Sequence, residues 1–293
     1  MNYLEQALTF DCAGSRLSGI ITRPVTAADT GVLILVGGPQ YRAGSHRQFT
    51  LLARQLANQG IASMRFDYRG MGDSEGEPRT FEEVDDDIRA ALDTLLERTP
   101  GLRHIALWGL CDAASSAMLY AHTDARINSL ILLNPWVHSE AGAARTRLKH
   151  YYLARLTQRS FWKKLLSGKL SLGQSANDLT KSAQSALTTA APATPTDPRH
   201  GLPGYIERMR SGLNRYRGGV LVILSGNDLV AQEFISLTRN NKDWKRIMRS
   251  PRFTQCFMPE ANHTFSTQVW RDAVADHTSC WLAARHPDKN IRK

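Results

Sequence analysis

Short hydrophobic runs and helical patterns alternate along the first half of the chain. Four runs rich in Val, Ile and Leu are typical of strands buried on both faces of a sheet: 31–38, 61–67, 104–110 and 127–133. Three stretches between them repeat apolar residues at helical spacing: 45–59, 80–98 and 112–121. This alternation predicts right-handed crossovers and a mostly parallel sheet with helices on both faces.

Two local signals refine these elements. The helix over 80–98 is expected to begin at Thr80, because Glu83 three residues later completes a capping box. Ahead of the parallel strands, 7–12 and 16–23 alternate like the two arms of an antiparallel hairpin.

The pattern breaks after residue 137 and resumes near residue 218. Residues 141–170 are basic and aromatic, which predicts one or two helices. A stretch rich in Ser, Ala, Thr and Pro at 171–201 predicts a poorly ordered loop, and a short helix follows Pro203. The α/β pattern then resumes with two strands, 219–225 and 253–258, and two helices, one from about 231 and one over 266–284. We therefore predict an α/β core over 1–137 and 218–293, with a cap, 138–217, inserted after the sixth strand.

Composition narrows the class of protein. The chain has 293 residues, 42% hydrophobic and 22% charged, as in soluble globular proteins. No apolar run approaches the ~20 residues of a membrane-spanning helix, and the N-terminus lacks the pattern of a secretory signal, so we expect a cytoplasmic protein. Its four cysteines show no CxxC spacing, which argues against a zinc ribbon or a disulfide framework. We expect neither a metal nor a cofactor.

The formal net charge of +10 is concentrated in the cap. Residues 138–217 contain 14 Lys and Arg against four Asp and Glu, which equals the whole excess. An apolar stripe of Leu148, Tyr152 and Leu156 lies among these basic residues. Three interpretations of this segment stay open. It is a solvated helix packed on the sheet, or it attracts an anionic acyl donor such as a coenzyme A or carrier-protein thioester, or it rests on an anionic membrane surface. No recognition motif accompanies the charge, so we expect no nucleic-acid partner.

The first candidate for chemistry is Cys111, on the turn between the strand 104–110 and a helix rich in Ala and Ser. Gly109 and Ala113 supply the small flanking residues that a nucleophile on such a tight turn needs. The helix N-terminus favours a thiolate there and directs the Asp112 N–H at a developing oxyanion. Taken alone, a cysteine at this position is more often a packing residue.

Two further residues follow later strands of the predicted sheet. Asp228 comes after strand 219–225, and His263 comes after strand 253–258. Each has an ordinary interpretation, a turn or N-cap aspartate and a surface histidine. Together with Cys111 they give the chain order nucleophile, acid, base, each at the carboxyl end of a strand, where open α/β sheets bind ligands.

The loop after the first parallel strand is the expected source of the second oxyanion donor. Its sequence is Gly37-Gly38-Pro39-Gln40-Tyr41. Because Pro39 has no N–H, we assign the donor to the backbone of Gln40, although a plain Gly-Pro turn explains the sequence equally well without the triad. We also expect Tyr41 and Trp136 to contact the substrate.

These residues resemble the α/β-hydrolase superfamily. The string DYRGMGDS at 67–74 is similar to its D-x-R-G-x-G-x-S stretch, and GLCDAA resembles its nucleophile elbow with Cys in place of the usual Ser. SGNDLV and ANHTF resemble its acid and base loops. Within the superfamily, GGPQYRAGSHRQF, the cysteine elbow and LNPWVHSEAGAARTRLKHYY look like the type 1 hydrolases associated with exosortase A systems. Proteins of that group accompany exopolysaccharide biosynthesis and protein-sorting loci in Gram-negative bacteria.

The resemblance implies a hydrolase of ester or thioester bonds that works through an acyl-enzyme on a Cys-His-Asp triad. Its substrate would be a small-molecule or carrier-linked acyl compound. Two alternatives stay open. The protein is an acyltransferase, in which a sugar or protein acceptor replaces water, or an inert hydrolase-like scaffold that binds the polysaccharide machinery.

Overall fold

The computed structural model describes residues 2–38, 40–138 and 204–286. Within these ranges the strands are β1 Tyr3–Cys12, β2 Ser15–Pro24, β3 Thr30–Leu35, β4 Ala62–Phe66, β5 His104–Leu110, β6 Ile127–Leu133, β7 Gly219–Asn227 and β8 Phe253–Asn262. The helices there are α1 Gln48–Asn58, α2 Asp85–Arg98, α3 Asp112–Tyr120, α4 Tyr205–Arg215, α5 Leu229–Asn240, α6 Lys242–Met248 and α7 Gln268–Arg285.

The strands form one sheet in the order β1-β2-β4-β3-β5-β6-β7-β8. β1 and β2 form an antiparallel hairpin, and β2 also runs antiparallel to β4. The remaining neighbours are parallel. Every residue of β3 and β4 is buried, as continuous hydrophobic strands covered on both faces must be. The predicted mostly parallel α/β sheet with its leading hairpin is thus confirmed.

The start of α2 differs from the prediction. The Thr80 hydroxyl does donate to Glu83 Oε2 at 2.8 Å, and the Glu83 N–H donates to the Thr80 carbonyl at 2.9 Å. These bonds close a turn, and the helix begins only at Asp85. Tertiary contacts explain the delay, because the Ser116 hydroxyl donates to the Phe81 carbonyl at 2.7 Å and the Phe81 ring packs edge-on against Tyr205.

The predicted cap over 138–217 lies largely outside the described residues. The basic stretch 141–170 and the loop 171–201 both fall there, as does the assignment of 138–217 to a separate unit. The predicted short helix after Pro203 is present as α4, which packs against α3. Gly212 makes this approach close, since a Cβ on it would lie 2.6 Å from the Met118 carbonyl oxygen.

Residues 67–74 begin the loop after β4, and they bind the loop after β3 through Asp67. The buried Asp67 carboxylate accepts the backbone N–H of Arg42 at 2.6 Å and that of Asp73 at 3.1 Å, and it pairs with the Arg42 guanidinium. Gly72, at φ +53°, lies so close that a Cβ would be 2.3 Å from Asp67 Oδ2. This cluster holds in place the loop that carries Gly37 to Tyr41.

Candidate active site

Cys111 occupies a sharp turn at the carboxyl end of β5. Its backbone has φ 63° and ψ −124°, a conformation that costs a non-glycine residue of the order of 1–3 kcal/mol. Gly109 permits the turn, because a Cβ there would lie 2.6 Å from the Ala113 backbone. The Cys111 N–H donates to the Leu133 carbonyl at 2.9 Å, which ties the turn to β6. The cysteine is half-buried at the start of α3, so its thiol is held at the helix N-terminus and is not sealed in the core.

The structure brings Asp228 and His263 together beside Cys111. His263 Nδ1 lies 2.8 Å from Asp228 Oδ2. Asp228 is also the N-cap of α5, and its carboxylate accepts the N–H groups of Val230 and Ala231, both at 3.1 Å. Three donors therefore fix the orientation of this carboxylate, and the carboxylate in turn fixes the imidazole.

The electrostatics of His263 favour its charged form. The hydrogen bond that His263 donates to Asp228, followed by the interaction with the Cys111 side chain, raises the pKa of His263 to about 10, against the opposing effect of burial. The imidazole thus bridges a carboxylate on one side and a thiol on the other. An imidazolium in this position stabilises a neighbouring thiolate.

Asn134, which the sequence analysis missed, locks the acid and base loops together. Its side-chain amide donates to the Ser225 hydroxyl at 2.9 Å and to the His263 carbonyl at 3.0 Å, and it accepts the Ser225 N–H at 2.9 Å. Asn134 is fully buried and has φ 42°, a conformation that asparagine tolerates better than most residues. The Asn-Pro pair directly after β6 was the available signal, since it marks a special turn.

The predicted oxyanion donor Gln40 is not supported by the structure. Its N–H donates to the Gly38 carbonyl at 2.8 Å and is therefore already engaged. The prediction considered only which residues of the loop possess an N–H. It could not foresee the direction of that N–H, which the positive φ of Gly38, +61°, helps to set.

The side chain of Asp112 has a role that the sequence analysis did not assign. Its carboxylate accepts the Gly38 N–H at 2.8 Å for Oδ1 and 3.0 Å for Oδ2, and the Ala113 N–H at 3.0 Å. Burial raises the pKa of Asp112, while these N–H groups and His263 act in the opposite direction. Gly37 makes room for the contact, because a Cβ on it would lie 2.4 Å from Asp112 Oδ1. The carboxylate therefore ties the loop after β3 to the start of α3.

Aromatic side chains surround the mouth of the site. Trp136 donates its backbone N–H to the Cys111 carbonyl at 3.2 Å, and its ring stacks on His138 at 5.1 Å. Tyr205, which the sequence analysis missed, donates its hydroxyl to the His138 carbonyl at 2.8 Å. Burial, with smaller contributions from Glu233 and Cys111, raises the pKa of Tyr205.

The other predicted substrate contact, Tyr41, is 53% exposed on the loop after β3. Its carbonyl accepts the Gly44 N–H at 2.8 Å. Across 2–38, 40–138 and 204–286, no group of three or more His, Cys, Asp or Glu side chains is arranged to hold a metal ion. Over the same ranges, no helix is both long enough and apolar enough to cross a membrane.

Solved esterase structures share this fold. The esterase Pf2001 from Pyrococcus furiosus superposes with a TM-score of 0.64 at 15% identity, covering 97% of this chain and 93% of that one. Est1E from Butyrivibrio proteoclasticus, solved with ferulic acid bound, gives a TM-score of 0.62 at 19% identity, covering 95% and 99%. At such identities the likeness establishes the α/β-hydrolase fold.

Sequence comparison adds one curated relative and one family. The quorum-quenching protein AidA from Acinetobacter baumannii (strain MDR-ZJ06) is 28% identical over 145 residues, so the match spans 46% of each protein, about half the length of that relative. A family model described as serine aminopeptidase, S33, matches residues 29–266, from the start of the parallel sheet to just beyond His263. Since this match covers most of the chain and includes all three converging side chains, the protein belongs to the S33 serine aminopeptidase family of α/β hydrolases.

Proposed function

We propose that this hydrolase cleaves ester or thioester bonds through an acyl-enzyme on Cys111. One observation carries the proposal: Cys111 stands on a strained turn at a helix N-terminus and interacts electrostatically with His263, whose Nδ1 lies 2.8 Å from Asp228 Oδ2. This is the arrangement of nucleophile, base and orienting acid that acyl transfer requires.

Acylation begins with the proton of Cys111 on His263. The thiolate sulfur attacks the carbonyl carbon, and the electron pair of the C=O bond moves onto oxygen as the tetrahedral intermediate forms. The Asp112 N–H at the start of α3 stabilises this oxyanion. As the intermediate collapses, the bond to the leaving group breaks and His263 Nε2 gives its proton to the leaving alcohol or thiol. The acyl group is now a thioester on Cys111.

Deacylation reverses these roles. Neutral His263 takes a proton from a water molecule, and the resulting hydroxide equivalent attacks the thioester carbonyl. The carbon–sulfur bond breaks, the carboxylic acid leaves, and the thiolate–imidazolium pair is restored. Asp228 stabilises the imidazolium in both halves of the cycle without itself accepting the proton.

The family takes its description from a serine aminopeptidase, whereas this chain has a cysteine, Cys111, at the position of the nucleophile. With its pKa raised to about 10, the His263 imidazole holds its proton at neutral pH, and an imidazolium is the usual partner of a sulfur nucleophile. A serine hydroxyl in the same place would need a base that is neutral at rest. We therefore assign the nucleophile to the sulfur, with Trp136 and Tyr205 bordering the acyl group.

The substrate class follows from the sequence of the cap and from the resemblance to exosortase-associated hydrolases. The excess of positive charge over 138–217 favours an anionic or carrier-linked acyl donor, or a peripheral contact with an anionic membrane. We propose a role beside exopolysaccharide biosynthesis, in which the acyl group originates from such a donor.

Nitrophenyl esters and acyl thioesters test this proposal on the wild type and on Cys111→Ala and His263→Ala. Cys280→Ala is the matched control, since Cys280 is an exposed cysteine on α7. We expect both site variants to lose turnover by about 10⁴-fold or more, as triad deletions do, while the control keeps it. Mass spectrometry should find an acyl adduct on Cys111 alone.

The other outcomes separate the competing functions. Turnover that survives both site substitutions would refute the triad. Transfer of the acyl group to an added sugar or amine acceptor faster than to water would identify an acyltransferase. Neither turnover nor an adduct, together with no alkylation of Cys111 by iodoacetamide, would favour the inert scaffold.

A further inference from the structure

A groove with an apolar floor lies beside the outer edge of the sheet, between β8, α5 and α6. Its cavity volume is about 620 Å³, within the range of small-molecule sites. Leu224 of β7, Ile235 of α5 and Met248 of α6 form the floor. Phe257 of β8 stands at the side with 55% of its surface exposed, which is unusual for so large an apolar residue.

Three cationic side chains surround this floor: Arg239, Lys245 and Arg249. No Asp or Glu lines the groove, and none of the three cations forms an ion pair with another described residue. The nearby carboxylate of Asp243 is shared by Arg210 at 3.4 Å and Arg246 at 3.5 Å. The lining therefore carries three positive charges that no acidic side chain in the described ranges neutralises.

A groove with an apolar floor and only positive charges around it is complementary to an anion that carries an apolar chain. Burying an alkyl chain stabilises binding by about 0.8 kcal/mol per methylene group, and a carboxylate gains charge-assisted hydrogen bonds from the rim. The polar side chains of Gln232, Thr238 and Gln255 line the same cavity but donate to backbone carbonyls, so the three cations are the groups that recognise the carboxylate. A cation would be repelled by the three positive charges, and an uncharged polar molecule would leave both these charges and the apolar floor without a partner.

We propose that the groove is a binding site for a free aliphatic carboxylate, distinct from the site around Cys111. The alkyl chain lies on Leu224, Ile235 and Phe257, and the carboxylate lies between Arg239, Lys245 and Arg249. The proposal does not depend on the chemistry of Cys111, because these side chains belong to the face of the sheet edge covered by α5 and α6 and take no part in the triad.

The variant Thr238→Cys provides a local probe, since residue 238 lines the groove from α5. Cys256 is not suitable, because along β8 its side chain lies on the face of Thr254, which bonds to Trp281 of α7, and not on the face of Gln255 and Phe257. Cys280, exposed on α7, serves as the internal control in the same molecule. The full-length protein is titrated with dodecanoate below its micelle concentration and labelled with a thiol-specific disulfide reagent. Peptide mass spectrometry then gives the labelling rate of each cysteine. We expect dodecanoate to slow labelling of the introduced thiol at least about fivefold and to leave Cys280 unchanged.

Charge and apolar surface are then tested separately. The triple variant R239A/K245A/R249A should weaken protection by dodecanoate about tenfold or more, because charge-assisted hydrogen bonds are lost. The control K242A/R246A removes neighbouring positive charge outside the groove and should keep wild-type protection. Phe257→Ser should weaken protection without altering the charge. Dodecyltrimethylammonium should protect neither cysteine.

Two results would overturn the proposal. The first is protection of the introduced thiol by dodecanol that equals protection by dodecanoate, which would make the groove a merely apolar surface. The second is unchanged protection in the triple variant. Since the readout is local to the groove, dodecanoate bound near Cys111 does not affect either conclusion, and failure here leaves the proposed hydrolase activity untouched.

Discussion

The two sides of Cys111 are built differently. On the acid–base side, two side chains meet directly, with His263 Nδ1 2.8 Å from Asp228 Oδ2, and Asn134 holds the His263 carbonyl. On the oxyanion side, the N–H groups of Gly38 and Gln40 are both engaged, one by the Asp112 carboxylate and one by the Gly38 carbonyl. The acid–base side presents an imidazole held by a carboxylate, the arrangement that the proposed proton transfer needs. The oxyanion side is held together by its own hydrogen bonds.

This difference shows what each side depends on. The acid–base side relies on two neighbouring parallel strands, β7 and β8, which end at the same edge of the sheet. Asp228 and His263 follow these strands and therefore meet once the sheet has formed. The oxyanion side relies on the direction of single N–H groups, which a buried carboxylate and two glycines decide. Substitutions in the anchors of one side should therefore leave the other side intact.

The largest effect is expected at Asp67, which anchors the loop of the oxyanion side. Asp67→Ala leaves two backbone N–H groups without their acceptor and removes one of the two carboxylates that pair with Arg42, the other being Asp73. Breaking such a buried pair costs about 3–5 kcal/mol. Urea unfolding followed by circular dichroism measures this loss. Glu75→Ala breaks the exposed Arg16–Glu75 pair and is the control, with a far smaller expected change.

In the folded fraction of Asp67→Ala, ester turnover should fall while the pKa of His263 stays raised. Asp67→Asn, which keeps an acceptor oxygen, should lie between the variant and the wild type. An equal loss of stability in the Asp67 and Glu75 variants would contradict the anchoring role.

The next effect is expected at Asp228, on the acid–base side. Its hydrogen bond is the largest cause of the raised pKa of His263, about 10 compared with 6.5 for an unperturbed histidine. Stability from this interaction is fully present below about pH 6.5, the ordinary histidine pKa, and is lost as the pH rises towards 10. Asp228→Asn should lower the pKa of His263 by about one unit or more and flatten this part of the stability curve.

NMR titration of the His263 ring protons measures this pKa directly. The alkaline limit of hydrolysis should move down with it, because the imidazolium protonates the leaving group. A His263 pKa that stays near 10 in the variant would mean that Asp228 does not control the charge of the imidazole.

The smallest effect is expected at Asp112, whose carboxylate holds the Gly38 N–H. Asp112→Ala removes this bond and should lower ester kcat about tenfold, with KM little changed, because the loop after β3 loses its attachment to α3. Asp112→Asn keeps one acceptor oxygen and should retain most of the activity.

Alkylation of Cys111 by iodoacetamide separates the two sides in the Asp112 variants. The reaction develops no oxyanion, so its rate should stay within about threefold of the wild type. A rise in ester turnover in Asp112→Ala would contradict the positioning role and would mean that the carboxylate obstructs the oxyanion pocket.

The sequence by itself determined the sheet and the residues at its carboxyl edge. Hydrophobic periodicity gave β5 and β6 at their observed bounds, and it marked Cys111, Asp228 and His263 as strand-end residues. Local signals sufficed there, because a strand buried on both faces needs a continuous apolar run and parallel strands bring their ends to one edge.

Only the tertiary structure decided which polar groups bond to one another. Thr80 and Glu83 bond to each other as the sequence suggests, but they close a turn ahead of the helix, because Ser116 and Tyr205 hold Phe81 outside it. The Gln40 N–H was assigned to the oxyanion by elimination, yet the loop turns it towards Gly38. Hydrogen bonds are short and directional, so their partners depend on atoms that arrive from distant parts of the chain, whereas burial follows from the nearby pattern of apolar residues.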